Sequence, residues 1–248
     1  MFGRRKDNSN YADIHCHLLP GVDDGSKNLD MTRTMLQQAY EEGIRAIIAT
    51  PHYHYKRGHA PIEEIARQLK LVQQEAHKID PHFEIYSGNE IFFSSNAVEK
   101  VKKHEVFTMA GSKYVLVEFS PADSFSTIKQ ALYSFQAEDY YPIIAHIERY
   151  ACMTEDWDNA DELYDMGIYI QVNGSSVIGN NGKDVKKFAS YLLDNDMLHF
   201  VATDAHNCDG RRIEIGTCKK YIAKKYGEAQ ALQCLYENPM KIIRGELI

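Results

Sequence analysis

Histidine and carboxylate side chains that can bind metal ions recur along this chain of 248 residues. His15 and His17 stand two positions apart in a short stretch with the apolar/polar pattern of a buried strand. Side chains at alternate positions of a strand point to the same face, so the two imidazoles would project side by side. Such a pair can bind one metal ion, because neutral histidine is the commonest metal ligand. The pair alone is weak evidence, since one buried and one exposed histidine in a loop would show the same spacing.

The same arrangement recurs wherever an apolar run of strand length stops and an ionisable side chain follows it. The side chains at these positions are His15, His17, His52, Glu90, Glu118, His146, Asp204 and His206. Asp23 and Asp24 lie in the Gly/Pro/Asp loop after the first run. Taken singly, each residue has an ordinary alternative, such as a core histidine or a salt-bridged glutamate. Together they indicate a nitrogen- and oxygen-rich centre of two or three ions, which suits zinc, manganese or iron.

The elements that would position these residues alternate between strand-like and helix-like patterns. We predict strands at 13–17, 44–50, 83–87, 114–117, 141–145, 168–172 and 199–203. We predict helices at 28–42, from 61 onwards, and at 95–103, 126–138, 157–166 and 184–194. The tail, 213–248, is predicted to form one or two closing helices that are interrupted near Asn238 and Pro239.

Seven strands that alternate with helices indicate parallel βα units. We therefore predict an α/β fold, a distorted seven-stranded (β/α)7 TIM-like barrel, as a single domain over 11–248 behind a flexible arm at 1–10. In such barrels the chemistry sits at the carboxyl ends of the strands, where the ionisable residues cluster here. An open doubly wound sheet is the alternative, but it would bring the strand ends to one centre less readily.

Composition and charge exclude several other classes of protein. The hydrophobic fraction of 44% and the charged fraction of 25% are ordinary for a soluble globular domain. The net charge of −7 disfavours a nucleic-acid partner. The five cysteines form no C-x-x-C pair, so we expect no disulfide framework and a reducing compartment. No apolar run approaches the roughly 20 residues of a membrane span. We expect a cytoplasmic protein without direct membrane insertion.

Taken together, the motifs resemble those of the polymerase and histidinol phosphatase (PHP) superfamily. Within it, the chain is similar to the bacterial metal-dependent protein-tyrosine phosphatases that are encoded with capsular or exopolysaccharide genes. The motifs are DIHCHLLPGVDDG (13–25), GIRAIIATPHYH (43–54), GNEIFF (88–93), YVLVEFS (114–120), PIIAHIERY (142–150), QVNGSSV (171–177) and VATDAHNCDGR (201–211). A histidine pair alone would match many amidohydrolases, whereas the DDG after it and the later IAHIER would not.

The resemblance implies a role for each site residue. It implies one metal on His15, His17, Glu90 and Asp204, a second on Glu90, Glu118 and His146, and a third on Asp24, His52 and His206. Asp23 is expected to be a turn residue. Manganese is the metal that the resemblance implies. Arg149 and Arg211 are expected to hold the substrate phosphate, because planar guanidinium groups suit bidentate phosphate contacts. The alternatives are a salt bridge with Glu148 for Arg149 and a loop cap for Arg211.

The function that the resemblance implies is hydrolysis of phosphotyrosine on a protein. The expected partner is the C-terminal tail of a bacterial tyrosine kinase that controls capsule or exopolysaccharide production. A small-molecule phosphomonoesterase of the histidinol-phosphatase type is the alternative, and a non-catalytic metal-binding subunit or nuclease module is a third. Cys16 lies between two ligands, but its side chain should point away from them, so we do not predict a cysteine nucleophile. The sequence leaves the oligomeric state open.

Overall fold

The computed structural model describes residues 10–55 and 58–248, so the arm predicted at 1–10 lies outside the described residues except for its last residue. The described chain contains nine strands. They are β1 (Tyr11–Cys16), β2 (Ile44–Ala49), β3 (His52–Tyr53), β4 (Glu84–Ser87), β5 (Glu90–Phe92), β6 (Tyr114–Glu118), β7 (Tyr141–Ile144), β8 (Tyr169–Asn173) and β9 (Phe200–Ala202). Neighbouring strands are parallel, in the orders β1-β2-β4 and β3-β5-β6-β7-β8-β9.

The two outer ends of this strand array come back together. The backbone N–H of His17 donates to the carbonyl of Ala205 at 2.9 Å, and that of Asp204 donates to the carbonyl of His15 at 2.8 Å. Cys16 and Ala205 form a parallel bridge. The segment after β9 therefore runs beside β1, and the parallel sheet is curled. The predicted α/β class with parallel strands is confirmed at this level.

Two of the predicted strands are each followed, after a two-residue break, by a short strand that was not predicted. Residues 50–51 separate β2 from β3, and residues 88–89 separate β4 from β5. The register is the same on both sides, with Ala49 opposite Ser87 and His52 opposite Glu90. Pro51 has no N–H to donate to a ladder, and a Cβ on Gly88 would lie 2.9 Å from Ile48. Glu90 was predicted to follow a strand, but it begins β5.

The helices surround the sheet. They are α1 (Leu29–Glu41), α2 (Ile62–Ile79), α3 (Ala97–Lys102), α4 (Phe125–Gln136), α5 (Ala151–Glu155), α6 (Asp158–Asp165), α7 (Gly174–Ile178), α8 (Lys183–Asp194), α9 (Gly216–Tyr226), α10 (Glu228–Leu232) and α11 (Asn238–Arg244). The short helices α5 and α7 were not predicted. Among the described residues, no helix is both long and apolar enough to span a membrane.

The break in the tail lies at a different place from the predicted one. The chain turns at Gly227, whose φ of +101° favours glycine, and a continuous helical path then leads through α10 and a π-helix into α11. Asn238 and Pro239 do not interrupt it. Pro239 directly follows the π-helical turn at residues 233–237, at the beginning of α11.

One face of the curled sheet carries a buried apolar cluster that leads up to the ionisable residues. Leu116, Ile143 and Phe200 belong to this cluster. Because side chains alternate along a strand, Glu118 lies on the same face of β6 as Leu116, one step nearer the carboxyl end. The larger apolar cluster packs the helices against the sheet. The site therefore stands on a packed hydrophobic base.

Candidate metal centre

The nine side chains predicted as ligands lie together at the carboxyl ends of the strands. Their nitrogen and oxygen atoms form four overlapping groups, each with all atoms within 4.8 Å of one another. The groups are His17, Asp24, His52 and His206; His15, Glu90 and His146; His15, His17 and Asp204; and His52, Glu90 and Glu118. Asp24, His52 and His206, which the resemblance implies as the ligands of a third ion, form one of these groups together with His17. The other two sets are brought together but shared among three groups, so the division into separate ions stays a prediction.

The cluster has a buried inner end and an open outer end. His15, His17, Glu90, His146 and Asp204 are all at most 2% exposed. At the outer end, the side chain of His52 is 26% exposed and that of Asp24 is 68% exposed. The inner end of the cluster is therefore shielded from solvent, while the outer end is open to it.

Glu90 is the centre of the cluster. Its Oε2 lies 3.3 Å from Nε2 of His15, 3.3 Å from Nε2 of His17 and 2.9 Å from Nδ1 of His52, and its Oε1 lies 2.7 Å from Nε2 of His146. Burial opposes ionisation, but the nearby His15 and the hydrogen bonds from the imidazoles hold the pKa of Glu90 well below its usual range. The carboxylate is therefore ionised and can bridge two cations.

Two features of the described residues show that a cation fits this site. Nε2 of His206 is buried without a hydrogen-bond partner among them, and burial lowers the pKa of this imidazole to about 3, which keeps it neutral. Burial and the neighbouring Glu90 raise the pKa of Glu118 to about 7. Five imidazoles and four carboxylates without a thiolate form a donor set for a hard or borderline divalent ion.

Asp23 does more than the turn that was predicted for it. Its Oδ2 lies 2.7 Å from Nδ1 of His17 and accepts the backbone N–H of His52 at 3.1 Å. A carboxylate on the far nitrogen of a ligating histidine fixes the orientation of the ring. Gly25 completes the turn, because a Cβ at this position would lie 2.2 Å from the carbonyl of His17. The sequence did not reveal which of the two adjacent aspartates turns inward.

The strand β8 supplies none of the nine predicted ligands, yet its buried amides contact three of them. Oε1 of Gln171 lies 3.2 Å from Nδ1 of His15 and accepts the backbone N–H of His146 at 2.8 Å. Nε2 of Gln171 donates to Asn173, and Nδ2 of Asn173 donates to Asp204 at 3.1 Å. Sequence reasoning missed both residues, although they stand in the QVNGSSV motif.

The backbone is left-handed at two of the site residues. His146 has a φ of +31° and Asp204 has a φ of +51°. A non-glycine residue rarely adopts this conformation, and it persists only where surrounding contacts hold it. The hydrogen bonds from β8 to both residues, at the backbone of His146 and the carboxylate of Asp204, supply such contacts.

Arg149 and Arg211 both contact Asp204. Nη2 of Arg211 donates to both carboxylate oxygens at 2.9 and 2.8 Å, and Nη2 of Arg149 donates to Oδ2. The alternative partner of Arg149, Glu148, instead accepts the backbone N–H of Asn173 and the hydroxyl of Ser176. Both guanidinium groups line a cavity of about 320 Å³ that also reaches Asp204 and Asn173. Two positively charged arginine side chains therefore converge at one edge of the cluster.

Cys16 faces away from the cluster, as predicted from its place in the strand. It is fully buried in the apolar layer between the sheet and the helices. Burial raises the pKa of its thiol well above the usual range. A neutral, buried thiol is not a nucleophile.

Comparisons with known proteins agree with this geometry. Residues 11–244 match the family described as capsular polysaccharide synthesis, CpsB/CapC. The tyrosine-protein phosphatase CpsB of Streptococcus pneumoniae is 36% identical over 241 residues, which are 95% of this chain and 99% of the relative. The tyrosine-protein phosphatase YwqE of Bacillus subtilis is 32% identical over 242 residues, which are 95% of this chain and 92% of the relative.

A solved structure is also similar. It comes from work on YwqE of Bacillus subtilis and CpsB of Streptococcus pneumoniae, described as unique metal-dependent tyrosine phosphatases. It superposes with a TM-score of 0.89 at 29% identity and covers 96% of both chains. A phosphotriesterase homology protein from Escherichia coli is similar in fold alone, with a TM-score of 0.64 at 14% identity over 95% of this chain and 99% of the other.

Proposed function

This chain belongs to the CpsB/CapC family of capsular polysaccharide synthesis proteins, and we propose that it is a metal-dependent protein-tyrosine phosphatase. One observation carries this function: a buried cluster of imidazoles and carboxylates adjoins two arginines that converge on one cavity wall. The names of the curated relatives favour phosphotyrosine over the small-molecule alternative.

At the finer level, the fold is a distorted seven-stranded (β/α)7 barrel in a single domain over 11–248. The unchanged register across the breaks supports counting β2 with β3 as one strand and β4 with β5 as another. The hydrogen bonds between residues 15–17 and 204–205 support closure between the first strand and the last.

The cofactor is a set of two or three divalent ions, with manganese as the expected metal. The residues that hold them are His15, His17, Asp24, His52, Glu90, Glu118, His146, Asp204 and His206, and the four groups of ligand atoms support this assignment. When bound, such ions supply Lewis acidity toward the phosphoryl group and toward water. The buried histidines and carboxylates are more numerous than one ion can bind, which supports a centre with more than one ion.

Arg149 and Arg211 bind the non-bridging oxygens of the phosphate. Each guanidinium has five N–H donors, and the contacts with Asp204 occupy only part of them. Charge-assisted contacts of this kind strengthen as negative charge accumulates on the phosphoryl oxygens in the transition state. The leaving phenolate has a pKa of about 10, so it departs more readily than an aliphatic alkoxide.

The substrate is the C-terminal tail of a cytoplasmic bacterial tyrosine kinase, and its dephosphorylation regulates capsule or exopolysaccharide production. A flexible tail can reach a site at the open ends of strands without unfolding of its own domain. The exposed outer ligands His52 and Asp24 support access from that side. The free cysteines support a reducing, cytoplasmic location.

The decisive experiment compares hydrolysis of a phosphotyrosine peptide and of histidinol phosphate, before and after metal removal. We expect the peptide to be the better substrate, and we expect chelation to abolish activity and manganese to restore it. Elemental analysis of the active protein should give two or three ions per chain. Full activity of the metal-free protein would contradict the metal centre, and efficient hydrolysis of histidinol phosphate alone would favour the alternative.

A further inference from the structure

A second depression, with a volume of about 560 Å³, lies along helix α8. Trp157 and Tyr191 contribute its aromatic lining, with 4.7 Å between their ring centroids. Lys183 and Lys187 also line it, and both are exposed. They are four residues apart, so they stand on the same face of the helix. This groove offers an aromatic surface beside two cations.

The lining of the groove contains more lysines than acidic residues, and Asp161 borders it by accepting the hydroxyl of Tyr191. The chain carries a formal net charge of −7, whereas the groove is lined by three lysines and one aspartate, Asp194. Lys187 pairs with Asp184 at 2.8 Å, but both side chains are exposed, and such pairs contribute little. Lys186 is engaged elsewhere, because its Nζ donates to the carbonyl of Ile178. Lys183 and Lys187 are therefore the cations that a bound anion would meet.

The groove begins next to the cavity of the candidate metal centre. Ile178 and Asn181 line that cavity, together with Arg149 and Asp204. Asn181 stands two residues before Lys183, so their Cα atoms are at most about 7 Å apart. Lys186 also spans the two depressions through its contact with Ile178. One loop thus forms the wall between the two.

The groove has the length of a short peptide. From Lys183 to Asp194 the helix rises by about 16 Å, at 1.5 Å per residue. An extended chain covers that distance with about five residues, at roughly 3.3 Å each. A segment of about five residues would therefore span the groove from Lys183 to Asp194.

We propose that this groove binds the segment of the protein substrate that flanks the phosphotyrosine, and that it selects segments with acidic and aromatic side chains. Acidic side chains pair with Lys183 and Lys187, and an aromatic side chain packs on Trp157 and Tyr191. The proposal rests on the phosphatase function proposed above. It adds a source of substrate selection that does not touch the metal ligands.

The chain contains a single tryptophan, Trp157, so its fluorescence reports on the groove alone. The metal-loaded protein is titrated with a tryptophan-free peptide that carries five acidic and aromatic residues beside phosphotyrosine. We expect a saturable change in fluorescence that weakens with salt, because the paired charges are exposed. Free phosphotyrosine should not produce this change.

The double variant Lys183→Glu, Lys187→Glu tests the charges. We expect the KM for the acidic phosphopeptide to rise about tenfold, while kcat and the kinetics on free phosphotyrosine stay unchanged. The control is Lys70→Glu, which makes half of that charge change at an exposed position of α2 and should leave both substrates unaffected. Trp157→Ala should raise the KM for the same peptide, and its melting temperature checks that the helix pair stays folded.

The outcomes separate this proposal from the function on which it rests. The proposal for the groove would be overturned if the double variant kept the wild-type KM for the acidic peptide. It would also be overturned if the KM for free phosphotyrosine rose by the same factor. Loss of self-association or of binding to anionic vesicles, with an unchanged KM for the peptide, would overturn it in favour of another occupant. A wild type that fails to hydrolyse free phosphotyrosine counts against the phosphatase function. In that case the groove would still be supported if the wild type binds the peptide in a salt-sensitive manner and the double variant does not.

Discussion

The side-chain oxygen of Gln171 lies 3.2 Å from Nδ1 of His15. The same oxygen accepts the backbone N–H of His146, so it is the carbonyl end of the amide that faces both groups. Nδ1 of His15 must then carry a proton and donate it. Nε2 of His15, which faces Glu90 and His17, is then unprotonated and has a lone pair that a cation could accept.

Replacing Gln171 with leucine should therefore weaken metal binding without removing a ligand. We expect the affinity for manganese to fall about 10- to 100-fold, because His15 loses the partner that fixes its tautomer and orientation. Competition with a chromophoric chelator measures this affinity directly. Gln171→Glu keeps an acceptor for His15 and should retain most of the affinity. Equal chelator competition by the wild type and the leucine variant would show that Gln171 does not position His15.

Removal of Arg149 should affect phosphate more than metal. We expect Arg149→Ala to lower kcat/KM on a phosphotyrosine peptide about thirtyfold, which corresponds to about 2 kcal/mol for one charge-assisted contact. The metal content at saturation should stay unchanged, since Arg149 contacts Asp204 and is not itself a ligand.

Arg211→Ala and the double variant complete a cycle with Arg149→Ala. Both guanidinium groups share Asp204, so the two effects should not add. Arg67→Ala removes an exposed arginine that pairs with Glu64 on α2, and it serves as the control. Wild-type kinetics for Arg149→Ala would exclude that residue from the phosphate site.

Substitution of Cys16 by serine should leave catalysis intact. The thiol is buried on the face opposite the ligands, and its high pKa keeps it protonated. We expect kcat/KM within about threefold of the wild type once metal is bound. The melting temperature gives the packing cost of the hydroxyl separately. A folded, metal-loaded variant without activity would require a covalent cysteine mechanism instead.

The stability of the fold should fall in mild acid because of His199. Burial lowers the pKa of this imidazole to about 4, and its Nδ1 accepts the backbone N–H of Ile170 at 3.1 Å. The unfolded chain takes up this proton near pH 6.5, so the unfolded state binds more protons between pH 6.5 and pH 4. The free energy of unfolding therefore decreases as the pH falls from 6.5 to 4, by up to about 3 kcal/mol from this group.

Denaturant unfolding at several pH values tests the role of His199. His199→Gln removes the titration, so its free energy of unfolding should change less between pH 6.5 and pH 4 than that of the wild type. The control is His82→Gln at an exposed position, which should keep the steep dependence. Equal slopes for the wild type and His199→Gln would assign the acid sensitivity to other groups.

The residues of the cluster could be predicted because their side chains combine metal-binding chemistry with a fixed place after each apolar run. Gln171 could not be found in this way, since a neutral amide in a buried strand resembles any other polar residue. Its role depends on the distance to His15, which lies on a strand far away in sequence. The additional contacts of Asp23 were missed for a related reason, because the direction of a side chain within a loop depends on the tertiary contacts of its turn.

The errors in the elements also have physical causes. The run 44–50 is continuous in hydrophobicity, so the sequence did not reveal that Pro51 divides it from β3. Pro239 was expected to interrupt the tail, but it directly follows a π-helical turn at residues 233–237, and the helical path continues through it. Gly227, which does turn the chain, carried the weaker signal of a single glycine.

The matched breaks in β2/β3 and β4/β5 make the length of the chain critical here. His52 and Glu90 face the cluster because both breaks contain two residues and preserve the alternation of the strands. Insertion or deletion of one residue in either break would turn the following ligand to the opposite face. Natural and laboratory evolution should therefore preserve the length of both breaks. Libraries for new substrates are better built with loop-length variation after α7, in the loop at residues 179–182.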